Sequence, residues 1–150
     1  MIETGTEKSH LAAAIASGMI DGAKIGQIGA DSDGTELYKE QLANLREIQD
    51  TCGIMYMYTI YQENGQLFYG VDTDDSEGQN KPGTAYDDES APVLSALNGQ
   101  AFIRDYIVSN EYGDLISSYV PIYDEAGNIT AVLGCDYDAS DINAQMNTIS

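Results

Sequence analysis

Two hydrophobic rhythms divide the chain. Up to residue 53 apolar positions return every three or four residues, as on one face of a helix; from residue 54 they alternate, as on a strand. Leu11, Ile15 and Met19, with Ala12, Ala13 and Ala14 between them, predict a first helix over residues 7–29. Gly18, Gly22 and Gly26 fall once per turn on one stripe with Ala14. Each glycine inside a helix costs about 1 kcal/mol relative to alanine. Two explanations stand for such a stripe: close packing against the domain's own elements, or a homodimer seam. Asp31-Ser32-Asp33-Gly34 then breaks the pattern. Asp33 with Glu36 forms a capping-box signature that opens a second helix near residue 34. Tyr38, Leu42, Leu45, Ile48 and Cys52 keep one face of that helix apolar until Gly53 ends it.

Ile54 to Tyr61, dense in aromatic and β-branched residues, predicts the first strand. Glu63-Asn64-Gly65 is a hairpin signal, and Leu67 to Asp72 is the returning strand. Residues 73–89 read as an acidic loop turned by Lys81-Pro82-Gly83, followed by a short helix from Ser90 to Leu97. Strands over Ala101–Val108, Asp114–Tyr123 and Ile129–Asp138 come next, and residues 139–150 return to a helical pattern through Ile142 and Met146. The order predicts an α/β (α+β) domain: a hairpin plus a meander make a five-stranded antiparallel sheet, with the helices on one face.

Composition narrows the function. The chain has 150 residues, enough for one domain with its own core. Its 25 Asp and Glu face only six Lys and Arg, a formal charge of −19. Residues 72–150 hold 15 of those acids, with Lys81 and Arg104 as the counterweights. Such a surface repels phosphate backbones and anionic lipid headgroups, which argues against nucleic acid and against lying on a membrane. No apolar run reaches the length of a membrane span, and no signal peptide with a basic start is present. The chain therefore reads as a soluble protein or as the soluble part of something longer. Cys52 and Cys135 are too few for a disulfide framework or a zinc site; buried free thiols are the default, a bridge the alternative. Asp31 to Gly34 begins like a calcium loop without completing its ligand series.

Catalytic chemistry is poorly represented. The single histidine, His10, sits on the Ala-rich helix, and no nucleophile elbow, Walker loop or His-Glu-x-x-His run occurs. Asp74-Asp75 and Asp87-Asp88 read as solvated loop acids. No enzyme activity, cofactor or metal is expected.

The order of elements, with the residues at its joints, resembles the Cache (PAS-like) extracytoplasmic sensor domains of bacterial chemoreceptors and sensor kinases. Leu37-Tyr38, Leu42 and Leu45 lead into Ile54-Met55-Tyr56-Met57-Tyr58-Thr59; Gly65 and Val71-Asp72-Thr73-Asp74 follow, then Pro82-Gly83-Thr84-Ala85-Tyr86. Tyr112-Gly113-Asp114, Ser118-Tyr119-Val120-Pro121-Ile122 and Gly127-Asn128-Ile129 lead to Val132-Leu133-Gly134-Cys135-Asp136-Tyr137. The resemblance spans nearly the whole chain. It implies a single sensor domain over 1–150, with N-terminal helices at 6–53, a PAS-like core at 54–138 and an exit helix at 139–150 running toward a transmembrane span. It also implies location on the outer side of a bacterial cell membrane, as part of a chemotaxis receptor, a histidine kinase or a diguanylate cyclase. A ligand-free PAS-like interaction or dimerisation domain is the alternative of another class.

In the family the ligand lies on the sheet face away from the long helices, roofed by the segment between the second and third strands, here residues 73–100. The ligand-binding candidates are accordingly Tyr56, Tyr58, Asp72, Tyr86, Arg104, Tyr106, Ser118, Tyr119 and Asp136. Tyrosine offers flat apolar area and one hydroxyl, although strand tyrosines also serve as packing residues. A carboxylate on a central strand, as at Asp136, is costly unless a ligand ammonium, a basic residue or backbone amides satisfy it. Gly134 leaves room beside it. Arg104 suits a two-point clamp on a carboxylate, or a pair with one of the many acids. Some Cache domains that bind amino acids carry a Tyr, Arg and Trp series before a terminal Asp. This chain has no tryptophan and no arginine in residues 54–100, so the small-molecule class stays open.

Overall fold

The computed structural model describes residues 2–104, 107–111 and 113–140. Its N-terminal half is three helices: α1 (Ile2–Gly18), α2 (Gly22–Ile25) and α3 (Glu36–Cys52). The long first helix expected over 7–29 is broken at 19–21, where Asp21 caps α2 by accepting from the Lys24 backbone N–H at 3.1 Å. The glycine stripe explains the break. A Cβ on Gly22 would sit 2.1 Å from the Tyr123 carbonyl oxygen, and one on Gly26 would sit 2.9 Å from Thr130. Two of the three glycines thus let this segment lie directly on the sheet. Thr35, not Asp33, caps α3, its hydroxyl accepting from the Tyr38 N–H at 3.2 Å, and Gly53 ends the helix in the left-handed region at φ 67°.

The second half is β1 (Tyr56–Glu63), β2 (Gln66–Asp72), α4 (Ser90–Leu97), β3 (Phe102–Ile103), β4 (Val108–Asn110), β5 (Gly113–Tyr123) and β6 (Ile129–Asp138). Asn64 and Gly65 both take positive φ, 52° and 78°, as a two-residue hairpin requires. The antiparallel order is β2-β1-β6-β5-β3, with β4 also pairing β5. The expected third strand is therefore two short pieces along β5, interrupted after Ile103. Residues 83–86 cover the outer edge of β2: Tyr69 N–H donates to Thr84 O, Gly83 N–H to Tyr69 O and Tyr86 N–H to Leu67 O, all within 2.9 Å.

Alternation along the strands gives the sheet two different faces. Met57, Val71, Val120, Ile122, Ala131, Leu133 and Cys135 pack against Ala13, Ala16, Ile20, Ile25, Leu45 and Ile48 from the helices, forming the larger core. Cys52 and Cys135 belong to this side and are free thiols; burial pushes the Cys135 thiol up from its ordinary value. On the other face Ile60, Tyr119 and Val132 meet Val93 and Ala96 of α4, with Tyr86, Leu97 and Phe102 at the margin. α4 covers only half of this face. The uncovered half carries the site.

Candidate functional site

Cross-strand register assembles the floor. Tyr56 pairs with Asp136 and Asp136 with Ser117, forming one row across β1, β6 and β5. Tyr58, Gly134, Tyr119 and Phe102 form the next row toward α4. Paired residues share a face, so the aromatic row separates the dry α4 contact from a polar row at the open end. The Tyr58 ring lies across Gly134, where a Cβ would come within 2.3 Å of it. The space at Gly134 is thus filled by Tyr58 rather than left beside Asp136. Tyr58 Oη is 3.4 Å from Tyr119 Oη, and burial raises both phenols above their ordinary value.

β2 contributes through an irregularity. The register shifts between the pairs Tyr58–Asp72 and Ile60–Tyr69. One extra residue in β2 lets Tyr69 and Asp72 share the open face, while Val71 turns into the helix-side core, its N–H donating to Thr59 Oγ1 at 2.9 Å. Tyr69 stands edge-on to Tyr58 at 5.9 Å and to Tyr86 at 5.2 Å between ring centres.

The roof begins at once after β2. Asp72, 5% exposed, accepts from the Asp74 N–H at 3.1 Å, the Asn80 N–H at 2.9 Å and Asn80 Nδ2 at 3.0 Å. Its carboxylate therefore shapes the loop 72–80. Burial nevertheless dominates and holds the Asp72 carboxyl above the usual range. α3 anchors the same loop: Arg46 donates to the Thr73 and Asp74 carbonyls at 3.3 Å, and Gln49 hydrogen-bonds Thr73 Oγ1.

Between floor and roof lies a cavity of about 360 Å³, lined by Tyr56, Tyr58, Tyr69, Asp72, Asp74, Gly78, Asn80, Asp87, Glu111 and Asp136. Asp136, half-buried, is the acid on its floor. Its Oδ1 accepts from Ser117 Oγ at 2.7 Å, and no donor to Oδ2 is found among the described residues. Burial pushes its carboxyl up to about 6, against the opposing pull of the Ser117 hydrogen bond and the Arg104 charge.

The expected ligand-binding residues divide accordingly. Tyr56, Tyr58, Asp72 and Asp136 line the cavity. Tyr86, Tyr119 and Arg104 are on the same side but in the layer behind it; Arg104, 7% exposed, sits 3.8 Å from the Glu89 carboxylate at the start of α4. Ser118 faces the other way: it is fully buried against α1, its hydroxyl 2.7 Å from that of Ser9, and the neighbouring Ser117 is the serine on the cavity side. Tyr106 lies outside the described residues. Sequence reasoning missed Tyr69, although the regular hairpin register pairs it with Ile60 on the open face; the β2 irregularity beyond it brings Asp72 onto the same face. The same reasoning also missed Asn80, Asp87 and Glu111, which arrive from loops without periodicity. Among the described residues no group of three or more His, Cys, Asp or Glu side chains gathers to hold a metal.

Solved structures share this fold. The sensor domain of E. coli DcuS superposes with a TM-score of 0.64 over 97% of this chain and 98% of that one, at 19% identity. The fold is that of the Cache sensor domains. The ligand-binding domain of the Campylobacter jejuni chemoreceptor Tlp3, solved with 4-methylisoleucine, gives a TM-score of 0.53 at 15% identity. It is matched over 94% of this chain, which spans about 60% of the Tlp3 domain. The same domain with L-norvaline gives 0.54 at 14% identity. No protein-family model and no curated protein matches the chain. At such low identity the Cache likeness concerns the fold.

Proposed function

We propose that the chain is the extracytoplasmic small-molecule-sensing domain of a transmembrane signalling receptor, a chemotaxis receptor in the first instance. The observation that carries this reading is the cavity. It is concave, built from strand register and a tied loop, and floored by a carboxylate whose Oδ2 has no donor among the described residues. That is the arrangement of a preformed ligand site. The domain does no chemistry in this reading, and no helix among the described residues is long and apolar enough to cross a membrane. The single-domain division, 1–150, and the exit helix at 139–150 belong to the same proposal; residues 141–150 lie outside the described residues.

Signal transfer follows from connectivity. Asp136 is two residues from the end of β6, and Asp138 there accepts from the Ser140 N–H at 2.9 Å, starting the segment that leaves the sheet. Ligand bound between Asp136 and the roof favours one arrangement of both, and only its difference in affinity between the two arrangements drives the output. Pairing of two copies through α1 fits this reading. Leu11, Ile15 and Met19 remain 61%, 51% and 47% exposed on one stripe. They lie within Lys8–Ile20, a stretch without any acid in a chain of charge −19. Ligand-dependent protection of β2, the roof and the end of β6 from hydrogen exchange tests the sensing role. Protection elsewhere only, or none with any compound, contradicts it.

A further inference from the structure

The charge arrangement around the cavity is one-sided in a way that can be accounted for residue by residue. Among the described residues five carboxylates line it, from Asp72, Asp74, Asp87, Glu111 and Asp136. The whole chain has six basic residues, Lys8, Lys24, Lys39, Arg46, Lys81 and Arg104, and none of them lines the cavity. Lys24 pairs with Glu40 at 2.7 Å, Lys39 with Glu36 at 3.6 Å and Lys81 with Asp33 at 3.8 Å. Arg46 is engaged with backbone carbonyls of the roof, and Lys8 is exposed on α1. Arg104 reaches the row of Asp136 from the far side of Ser117, donating its backbone N–H to Ser117 O at 2.9 Å, and its guanidinium sits toward Glu89. The protein supplies no cation inside the cavity.

Three tyrosines, with Gly78 and Asn80, make up the rest of the lining among the described residues. Tyr56, Tyr58 and Tyr69 present their rings beside Asp136, and the edge-on contact of Tyr69 with Tyr58 fixes two of them at an angle, as adjoining walls. Asn80, the one side-chain amide in the lining among the described residues, donates from Nδ2 to Asp72. Each ligand class meets this wall differently. An anion is repelled by five acids and has only the Tyr69 hydroxyl and the second Asn80 amide hydrogen to receive it, with no cation beside them. A zwitterion brings its carboxylate into the same field. A neutral donor can return a hydrogen bond to Asp136 but leaves its charge uncompensated. A cation gains the buried carboxylate and the negative faces of the tyrosine rings together.

We propose that this cavity selects a compact organic cation, a protonated or methylated amine lacking a carboxylate. The cationic head seats on Asp136 between Tyr56, Tyr58 and Tyr69, and its apolar remainder lies along the rings toward the roof. This rests on the sensing reading and names its ligand class. Asp87 and Glu111, at the loops, draw such ligands toward the mouth, so the association rate falls with salt.

Matched probes differing only in charge test it by calorimetric titration of the 150-residue chain at pH 7.5. One set is isopentylamine, isopentanol, L-leucine and 4-methylpentanoate. The second is choline and its neutral isostere 3,3-dimethylbutan-1-ol, with betaine as the zwitterion. The expected result is that at least one cation binds tenfold or more tightly than every other member of its set. Asp136→Asn then removes most of that preference, and Asp87→Asn weakens the cation's binding two- to threefold without changing the order. A zwitterion or anion binding tighter than its cation overturns the cation assignment. If that binding is still lost on Tyr69→Ala, the cavity remains sensory and only the ligand class was wrong. Failure of every probe of every charge to bind overturns the cation assignment and counts against the sensing reading as well.

Discussion

Replacing Asp136 by asparagine should make the protein more stable at neutral pH. The carboxylate lies on the cavity floor in one row with Tyr56 and Ser117, takes one hydrogen bond from Ser117, and is held by burial up to about 6 against an ordinary 3.8. An acid whose folded value is raised retains its proton in the folded state over a range where the unfolded chain has lost it. Folding is therefore favoured as pH falls through about 6 toward 3.8, and this contribution is lost as pH rises. Above both values the ionised group costs the shift multiplied by 1.36 kcal/mol per unit, about 3 kcal/mol. Asparagine has nearly the same shape, keeps an oxygen for Ser117 Oγ and carries no charge. It should recover about 2–3 kcal/mol at pH 7.5, which corresponds to roughly 4–12 °C in Tm for a domain of this size. Urea denaturation of the two proteins at pH 7.5, 6.0 and 4.0 measures the difference. It should be largest at pH 7.5, shrink through pH 6 and be nearly gone at pH 4. A variant no more stable than the parent at pH 7.5, or a difference independent of pH, refutes the argument that Asp136 is a destabilised site residue. The same substitution that stabilises the fold should weaken the ligand, the trade expected when a binding group is held in an unfavourable environment.

Two further outcomes follow from packing. Gly134→Ala puts a methyl within 2.3 Å of the Tyr58 ring. It should cost about 1–3 kcal/mol in denaturation and displace the ring that floors the cavity, so ligand affinity falls with stability. Ile15→Glu places an acid on the exposed α1 stripe and should shift the protein toward monomer in light scattering at concentrations where the parent self-associates. An unchanged association places the homodimer contact elsewhere.

Much of this architecture was readable from period and punctuation, because those signals are local. α4 and β6 fall on the expected residues, the hairpin on Asn64-Gly65 and the end of α3 at Gly53. Where sequence reasoning failed, the deciding contact was distant. Residues 7–29 look like one helix until the Tyr123 carbonyl requires the backbone at Gly22 to approach it. Thr35 displaces Asp33 as the cap because Gly34, at φ 77°, turns the chain just before it. Ser117 and Ser118 are equivalent in composition, and only the register against Asp136 tells which faces the ligand side. The extra residue in β2 that brings Asp72 onto the same face as Tyr69 leaves no mark in the alternation of 67–72. The strand tyrosines and Asp136 were legible as candidates because a charged or amphipathic residue in an apolar strand needs a reason; the loop acids were not, because acids are common in this chain's loops.

The most direct test of the sensing role is hydrogen exchange read by mass spectrometry, with the chain saturated by its best-binding compound. The structure predicts slowed exchange in residues 69–87 and 134–138, where β2, the roof and the end of β6 enclose the cavity. The hollow formed by Met19–Ala23 and Tyr123–Ala126 should be unaffected. Protection confined to that hollow, or spread evenly over the molecule without focus on Asp136 and the roof, would contradict the account.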